Sequence, residues 1–272
     1  AEIAATHKVG LVKSLERLLT PQKETADFED IESLLREAAY DTGAVGDLQA
    51  WWLHRMHYTA NPLTEKLTLF WHNHFATSFS KVQSVPHMAA QNDRFRAEAL
   101  GSFRTLLHAM AKDVAMLIWL DSNANRKRHA NENFAREVME LFSLGEGNYT
   151  EDDIKQAARA FTGWHVRDDK FWFNQRQHDI TSKSLFGKTA NLDGGEVIDL
   201  CLAHKACARF IAFKLLRAFV LDQPTDVHIT ALAARMRAHD FAMRPVMREL
   251  LESKLFFGAA ARYARIKEPL EL

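Results

Sequence analysis

With one interruption, the apolar residues of this chain recur at helical spacing in segments of roughly 10 to 18 residues, separated by short polar breaks. That pattern leaves little room for a sheet and predicts an all-α fold. The spacing places helices over 6–19, 27–40, 44–59, 62–79, 85–110, 112–121, 131–144, 150–162, 194–202, 205–220, 225–239 and 243–255. The punctuation agrees. Pro62 suits a first-turn position after Asn61 as N-cap, and Thr150 with Asp153 makes a capping box, with Glu151 and Asp152 in the same acidic turn. Gly145 and Gly163 close their helices. The interruption runs from Trp164 to Gly195, where Lys170-Phe-Trp-Phe-Asn-Gln175 gathers aromatics in the manner of a strand. A small β-hairpin is expected there, followed by a long loop with little regular structure. The expectation is one multi-helix domain over 1–272, carrying a hairpin and long-loop insertion around 164–195.

Lysine plus arginine equals aspartate plus glutamate at 35 each, so bulk charge gives no argument for a nucleic-acid partner. No run reaches the roughly 18 to 20 apolar residues of a membrane span. The opening Ala1-Glu-Ile-Ala-Ala5 lacks a basic segment followed by an apolar one. The chain therefore reads as soluble, in the cytoplasm or exported to the periplasm after loss of a signal. Cys201 and Cys207 lie six apart in a segment of helical pattern, about 240° apart around the axis and so poorly placed to bridge, and only two cysteines exclude a disulfide scaffold and a zinc finger.

Three segments concentrate chemically able side chains. In Asn131–Gly145, at 100° per residue, Phe134, Val138, Leu141 and Phe142 form an apolar stripe beside a polar one of Asn133, Arg136, Glu137 and Glu140. Glu137 and Glu140 are three apart, the spacing by which helix-bundle metal sites point two carboxylates into one cavity. Arg136 and Glu140, four apart, would equally suit a surface ion pair. In Pro62–Ser78, Glu65, Thr68 and His72 share a face, whereas His74 lies about 200° from His72. The two histidines cannot chelate one ion from a regular helix. Either the helix ends near Asn73, or His72 faces a site with Glu65 while His74 reaches another neighbour. The string His-Asn-His is that of HNH nucleases, but their ββα setting is missing. The third segment is His178-Asp179 in the long loop, a pair suited to metal ligation or acid–base work and equally to a solvated loop.

Other features weigh less. Asn125-Arg-Lys-Arg-His129 would hold an anion but fits a solvated loop better, and Trp51 and Trp52 cannot share a face, so one should pack in the core. Asp113–Leu120 reads as a buried helix, and Lys214 and Arg217 should snorkel from a packed one. The sequence has no His-Glu-x-x-His, no Glu-x-x-His pair, no Walker loop, no Gly-x-Ser-x-Gly elbow and no Rossmann fingerprint.

The strings 62–75 (Pro-Leu-Thr-Glu-Lys-Leu-Thr-Leu-Phe-Trp-His-Asn-His-Phe), 131–145 (Asn-Glu-Asn-Phe-Ala-Arg-Glu-Val-Met-Glu-Leu-Phe-Ser-Leu-Gly), 149–154, 158–164 and 178–179 occur in that order. Together they resemble the bacterial family catalogued as domain of unknown function 1800 (DUF1800), from about Trp51 to Lys267. The resemblance carries no established activity or catalytic residues. It implies a context of exported proteins beside sulfatase-like or phosphatase-like ones, hence a protein partner of that type. It also implies relatives longer than this chain at both ends.

Donor density leads to the expectation of a metal-dependent, hydrolytic enzyme. His72, His74, Glu65, Glu137 and His178 would hold a divalent ion such as zinc, manganese or iron. Glu137, Glu140 and Asp179 would supply acid–base chemistry at a metal-bound water, and Arg136 would orient an anionic group. The alternative is a non-catalytic helical binding or scaffold protein in which the Asn/Arg/Glu cluster is a buried polar network.

Overall fold

The structure, a computed structural model, describes residues 10–264 and residue 270. Positions 6–9 of the first expected helix lie outside the described residues. The chain runs through α1 (Leu11–Leu19), α2 (Ala26–Thr42), α3 (Val45–Tyr58), α4 (Pro62–His74), α5 (Phe79–Val82), α6 (Val85–Ala97), α7 (Phe103–Met110) and α8 (Val114–Trp119). After a loop come α9 (Asn133–Glu137), a π-helical segment (Val138–Ser143) and α10 (Glu151–Ala160). Strands β1 (Trp164–Arg167), β2 (Lys170–Phe173), β3 (Lys183–Leu185) and β4 (Lys188–Ala190) follow, then α11 (Gly194–Ala203), α12 (Lys205–Phe219), α13 (Asp226–Ala238) and α14 (Met243–Glu252). The fold is mostly helical, as the apolar period requires.

Local chemistry sets the boundaries. The Thr25 hydroxyl accepts from the Phe28 amide to start α2, and Gly43, at φ 64°, ends it so that α3 folds straight back. The Thr150/Asp153 capping box forms as expected, and Asp193 with Glu196 makes a second one at α11. Pro62 does occupy the first turn of α4, but the Asn61 side chain does not cap it. It instead accepts from the Gln22 amide and donates to the Gln22 carbonyl and to Glu24, tying α4 to the α1–α2 connection.

Two expected helices are each divided. The segment 62–79 stops at His74, because the chain turns at Phe75 before α5 begins. The segment 85–110 breaks between α6 and α7, where Ser102 is extended and bridges Ala242. The Phe103 amide donates to Phe241 O and the Met243 amide to Gly101 O, bonds that a continuous helix would forfeit.

The insertion is more regular than its composition suggests. It holds two antiparallel hairpins rather than one, with Trp164 opposite Phe173 and Lys183 opposite Ala190. Their turns, Asp168–Asp169 and Phe186–Gly187, place both central residues at positive φ, the type I′ geometry that matches strand twist.

One apolar cluster runs from Leu15 in α1 to Leu251 in α14 and is centred on aromatic rings, with Trp71 stacked on Phe103 at 5.4 Å and Phe75 on Phe95 at 5.8 Å. A second, around Trp51, packs Ala39, Leu48, Val82, Val85 and Met88. Cys201 and Cys207 are buried and unbridged.

The expected apolar stripe on Asn131–Gly145 needs one correction. Phe134, Val138 and Phe142 are buried, but Leu141 is 43% exposed and Met139 takes its place inside. The cause is the π turn. With i to i+5 bonding, as in Leu144 N to Met139 O at 2.8 Å, the residues no longer follow 100° steps. Gly145 then closes the segment at φ 79°, and a Cβ there would lie 2.8 Å from the Phe210 ring. Gly145→Ala should therefore cost about 2 kcal/mol or more in urea unfolding, combining left-handed strain with a clash. Gly147→Ala, at φ 80° with open space around it, should cost only about 1 kcal/mol.

Candidate functional site

Helix α4 presents chemistry on two sides. On one, the buried Glu65 carboxylate accepts from Arg96 Nε at 2.5 Å, Arg96 Nη2 at 3.2 Å, Arg55 Nε at 3.3 Å and Trp52 Nε1 at 3.2 Å. The network spreads outward. Arg55 pairs with Glu32 at 2.8 Å, Arg96 with Asp93 at 2.9 Å, and Arg36 grips Asp93 through both nitrogens at 2.7 and 2.8 Å. Arg36, Arg55 and Arg96 also crowd the faces of Trp51, their guanidinium carbons 4.6, 5.7 and 5.3 Å from its ring centre. Three cations thus meet Glu32, Glu65 and Asp93 around one core tryptophan, with no net charge left over.

His72 stands beside this network on the same side of α4. Its ring meets Trp52 edge-on at 4.9 Å and Phe95 at 6.1 Å, and its nitrogens make no hydrogen bond to the described residues. Burial lowers its pKa, so the ring is neutral at physiological pH. Trp52, His72, Asn73 and Asn92, with Leu53, Leu69 and Met88, line a cleft of about 790 Å³ between α3, α4 and α6.

His74 faces the opposite way. Its Nε2 lies 3.1 Å from Phe142 O, which fixes the hydrogen on Nε2 and leaves Nδ1 to accept from Lys214 Nζ at 3.1 Å. Lys214 also donates to Leu141 O at 3.1 Å. Burial, and then the Lys214 charge, hold His74 well below its ordinary range, and burial lowers Lys214 to about 8. Partly exposed, Lys214 turns its amine onto the Leu141 carbonyl at the end of the π segment, where no helical donor remains.

The other expected site residues stand elsewhere. Tyr149 OH donates to Glu140 at 2.5 Å, and Glu137, half-buried and without a side-chain hydrogen bond among the described residues, is raised in pKa by burial and then by Glu140. Arg136 lies at the surface, paired with Glu151 at 2.8 Å and Glu132 at 3.2 Å, outside any buried network. His178 is buried and donates through Nδ1 to Thr162 O at 2.8 Å. Despite burial, hydrogen bonds from Arg159 and Thr181 keep the Asp179 carboxyl well below the ordinary range. These two residues latch the insertion onto the end of α10. Lys183, itself fully buried, adds a bond to Asp179 O at 2.6 Å.

The pool of expected ligands is thus divided among four places. Glu65 and His72 share Trp52; His74 joins Lys214; Glu137 neighbours Glu140; His178 and Asp179 hold the loop. Among the described residues no three His, Cys, Asp or Glu side chains come together as a metal would require. The arrangement does not fit a zinc, manganese or iron site built from these residues.

Of the three chemically able segments, expected to converge, two meet at the contact of His74 with Phe142, whereas His178 and Asp179 bond instead to Thr162 and Arg159 at the end of α10. The family described as "Protein of unknown function (DUF1800)" matches residues 1–272, beyond the range over which the motifs alone resemble it. The chain belongs to the DUF1800 family. No curated protein and no solved structure matches this DUF1800 chain. No helix among its described residues is long and apolar enough to cross a membrane.

The sequence reading gave no role in a site to Arg55, Arg96, Trp52 or Lys214. The one available signal was Trp52 and Arg55 at i, i+3, which puts them on one face of α3 toward α4. Asn125, in the basic run, is no solvated residue either. It is buried, donating to Ala158 O and accepting from the Asn131 amide.

Glu65→Ala should strip a counter-charge from two largely buried arginines and lower the unfolding free energy by about 3 to 5 kcal/mol, read from urea midpoints. Acid should also weaken the fold. With folded-state His74 held far below its unfolded value of 6.5, only the unfolded chain takes up that proton, so stability falls as pH drops below 6.5. The slope from this one group approaches about 1.4 kcal/mol per pH unit, and His74→Gln should remove it from a urea series between pH 7 and 5. Asp113, raised by burial to about 6, acts in the opposite sense below that pH and is common to both proteins.

Proposed function

We propose that this DUF1800 protein is a helical binding protein whose cleft between α3, α4 and α6 takes a small, mainly apolar molecule bearing a hydrogen-bonding group. The observation that carries this reading is His72: neutral, largely buried, lining the cleft, and without a hydrogen-bonded partner among the described residues. A neutral imidazole offers one donor and one acceptor, which suits a hydroxyl or amide. The volume of about 790 Å³ lies within the range of small-molecule sites, and walls of Trp52, Leu53, Leu69 and Met88 would bury most of such a ligand. Trp52 is held by Glu65, so the cleft wall is set before a ligand arrives.

A metal-dependent hydrolase has weaker support, because its ligands would have to be drawn from four separate places. The buried-network alternative survives in changed form: the network is Glu65, Arg55, Arg96, Asp93 and Arg36 rather than the Asn/Arg/Glu helix, and it underlies the cleft.

Titration with anilinonaphthalene sulfonate should show saturable binding near one probe per chain, with quenching of Trp52. Leu53→Trp, at an exposed position of the cleft wall, should weaken that binding severalfold while leaving the melting temperature nearly unchanged. In a panel of aromatic alcohols and amides, His72→Phe should weaken binders about tenfold, the worth of one well-made hydrogen bond in a partly buried site. Binding that neither substitution alters would place the ligand elsewhere and end this reading.

A further inference from the structure

We infer that Lys214 is a nucleophilic lysine, a site at which small carbonyl compounds form an imine, independent of the cleft proposed above. Its surroundings match the donors of a neutral amine. Two neutral acceptors, His74 Nδ1 and Leu141 O, each stand 3.1 Å from Nζ, enough for the two N–H bonds of –NH2. His74 cannot offer a proton in return, because its single hydrogen is on Nε2 and committed to Phe142 O. The nitrogen lone pair is therefore left unengaged. Among the described residues no carboxylate forms an ion pair with Lys214, and another near neighbour is the Phe210 ring, 4.5 Å from Nζ to the centroid. An ammonium here would gain only a cation–π contact for its third hydrogen, and burial disfavours the charge, lowering the pKa to about 8. The side chain is half-exposed, so a small reagent reaches it. Lysines desolvated in this way are the ones that enzymes use to form Schiff bases.

The step balances without a further oxidant or reductant. The Lys214 lone pair attacks the carbonyl carbon, the C=O π pair moves to oxygen, and a proton passes from nitrogen to that oxygen to give a carbinolamine. Loss of water with the second nitrogen proton then forms C=N. His74 Nδ1 and Leu141 O hold the amine in place during the attack, and neither is consumed.

The test uses acetaldehyde as the carbonyl compound, with cyanoborohydride to trap the imine as a secondary amine, and peptide mass spectrometry to follow each lysine at limiting reagent. At pH 7, Lys214 should be alkylated about tenfold or more faster than an exposed lysine such as Lys188, since an ordinary lysine amine titrates near 10.4. Its rate should level off above about pH 8.5, while exposed lysines continue to accelerate. Lys214→Arg should remove the fast peptide and leave no other in its place. Labelling of Lys214 no faster than Lys188, or a rate that climbs steadily to pH 10, would overturn the inference. The pH profile needs only the native protein, so it decides the matter even where a variant fails to fold.

Discussion

The carboxylate of Glu65 is the contact on which the arrangement of the first half of the chain depends. Buried between α3, α4 and α6, it accepts hydrogen bonds from Arg55, Arg96 and the Trp52 indole. The two arginines are fixed in turn: Arg96 by Asp93 and Asn92, Arg55 by Glu32. A charge network with every member paired permits few alternative packings, because shifting one helix by a turn would leave several charges buried without partners. Trp51, ringed by three guanidinium groups, anchors the same network to the smaller apolar cluster.

Helix α4 carries this order to two different places. Its Glu65–His72 side builds the wall of the cleft, while His74 leads through Phe142 and Lys214 to the π segment and the larger core. The π turn makes that joint workable. By breaking the 100° register it sends Leu141 outward and leaves the Leu141 and Phe142 carbonyls for His74 and Lys214 to satisfy. Both histidines of the His-Asn-His string are neutral through burial, yet one faces a cleft and the other a lysine. Identical residue types two positions apart thereby acquire unrelated surroundings.

The same logic accounts for the loop residues. His178 and Asp179 have the composition of an acid–base pair, but their hydrogen bonds to Thr162, Arg159 and Thr181 are those of a latch. The insertion stays on the helical body because of that latch and because Trp164 is buried against Phe161. Each of these two side chains has partners within the fold that its residue type alone does not name.

The sequence by itself determined the elements. Helical apolar period, the Thr150/Asp153 box, Pro62 in the first turn of α4 and Gly145 at the end of the π segment are local signals, decided within a few residues of one another. It also limited His72 and His74 to sharing an ion only if the helix ended near Asn73, and α4 continues through His74. It did not reveal the second hairpin, whose Phe186–Gly187 turn lacks the usual Asn-Gly signature, nor the π turn, which no spacing rule marks. Only the tertiary structure decided partners. Glu65 met two arginines rather than a metal, Lys214 met a histidine from a helix 140 residues away in sequence, and Arg136 met surface carboxylates. The reason is physical: a side chain's charge state and role depend on what desolvates it and what it bonds to, and those neighbours come from distant parts of the chain.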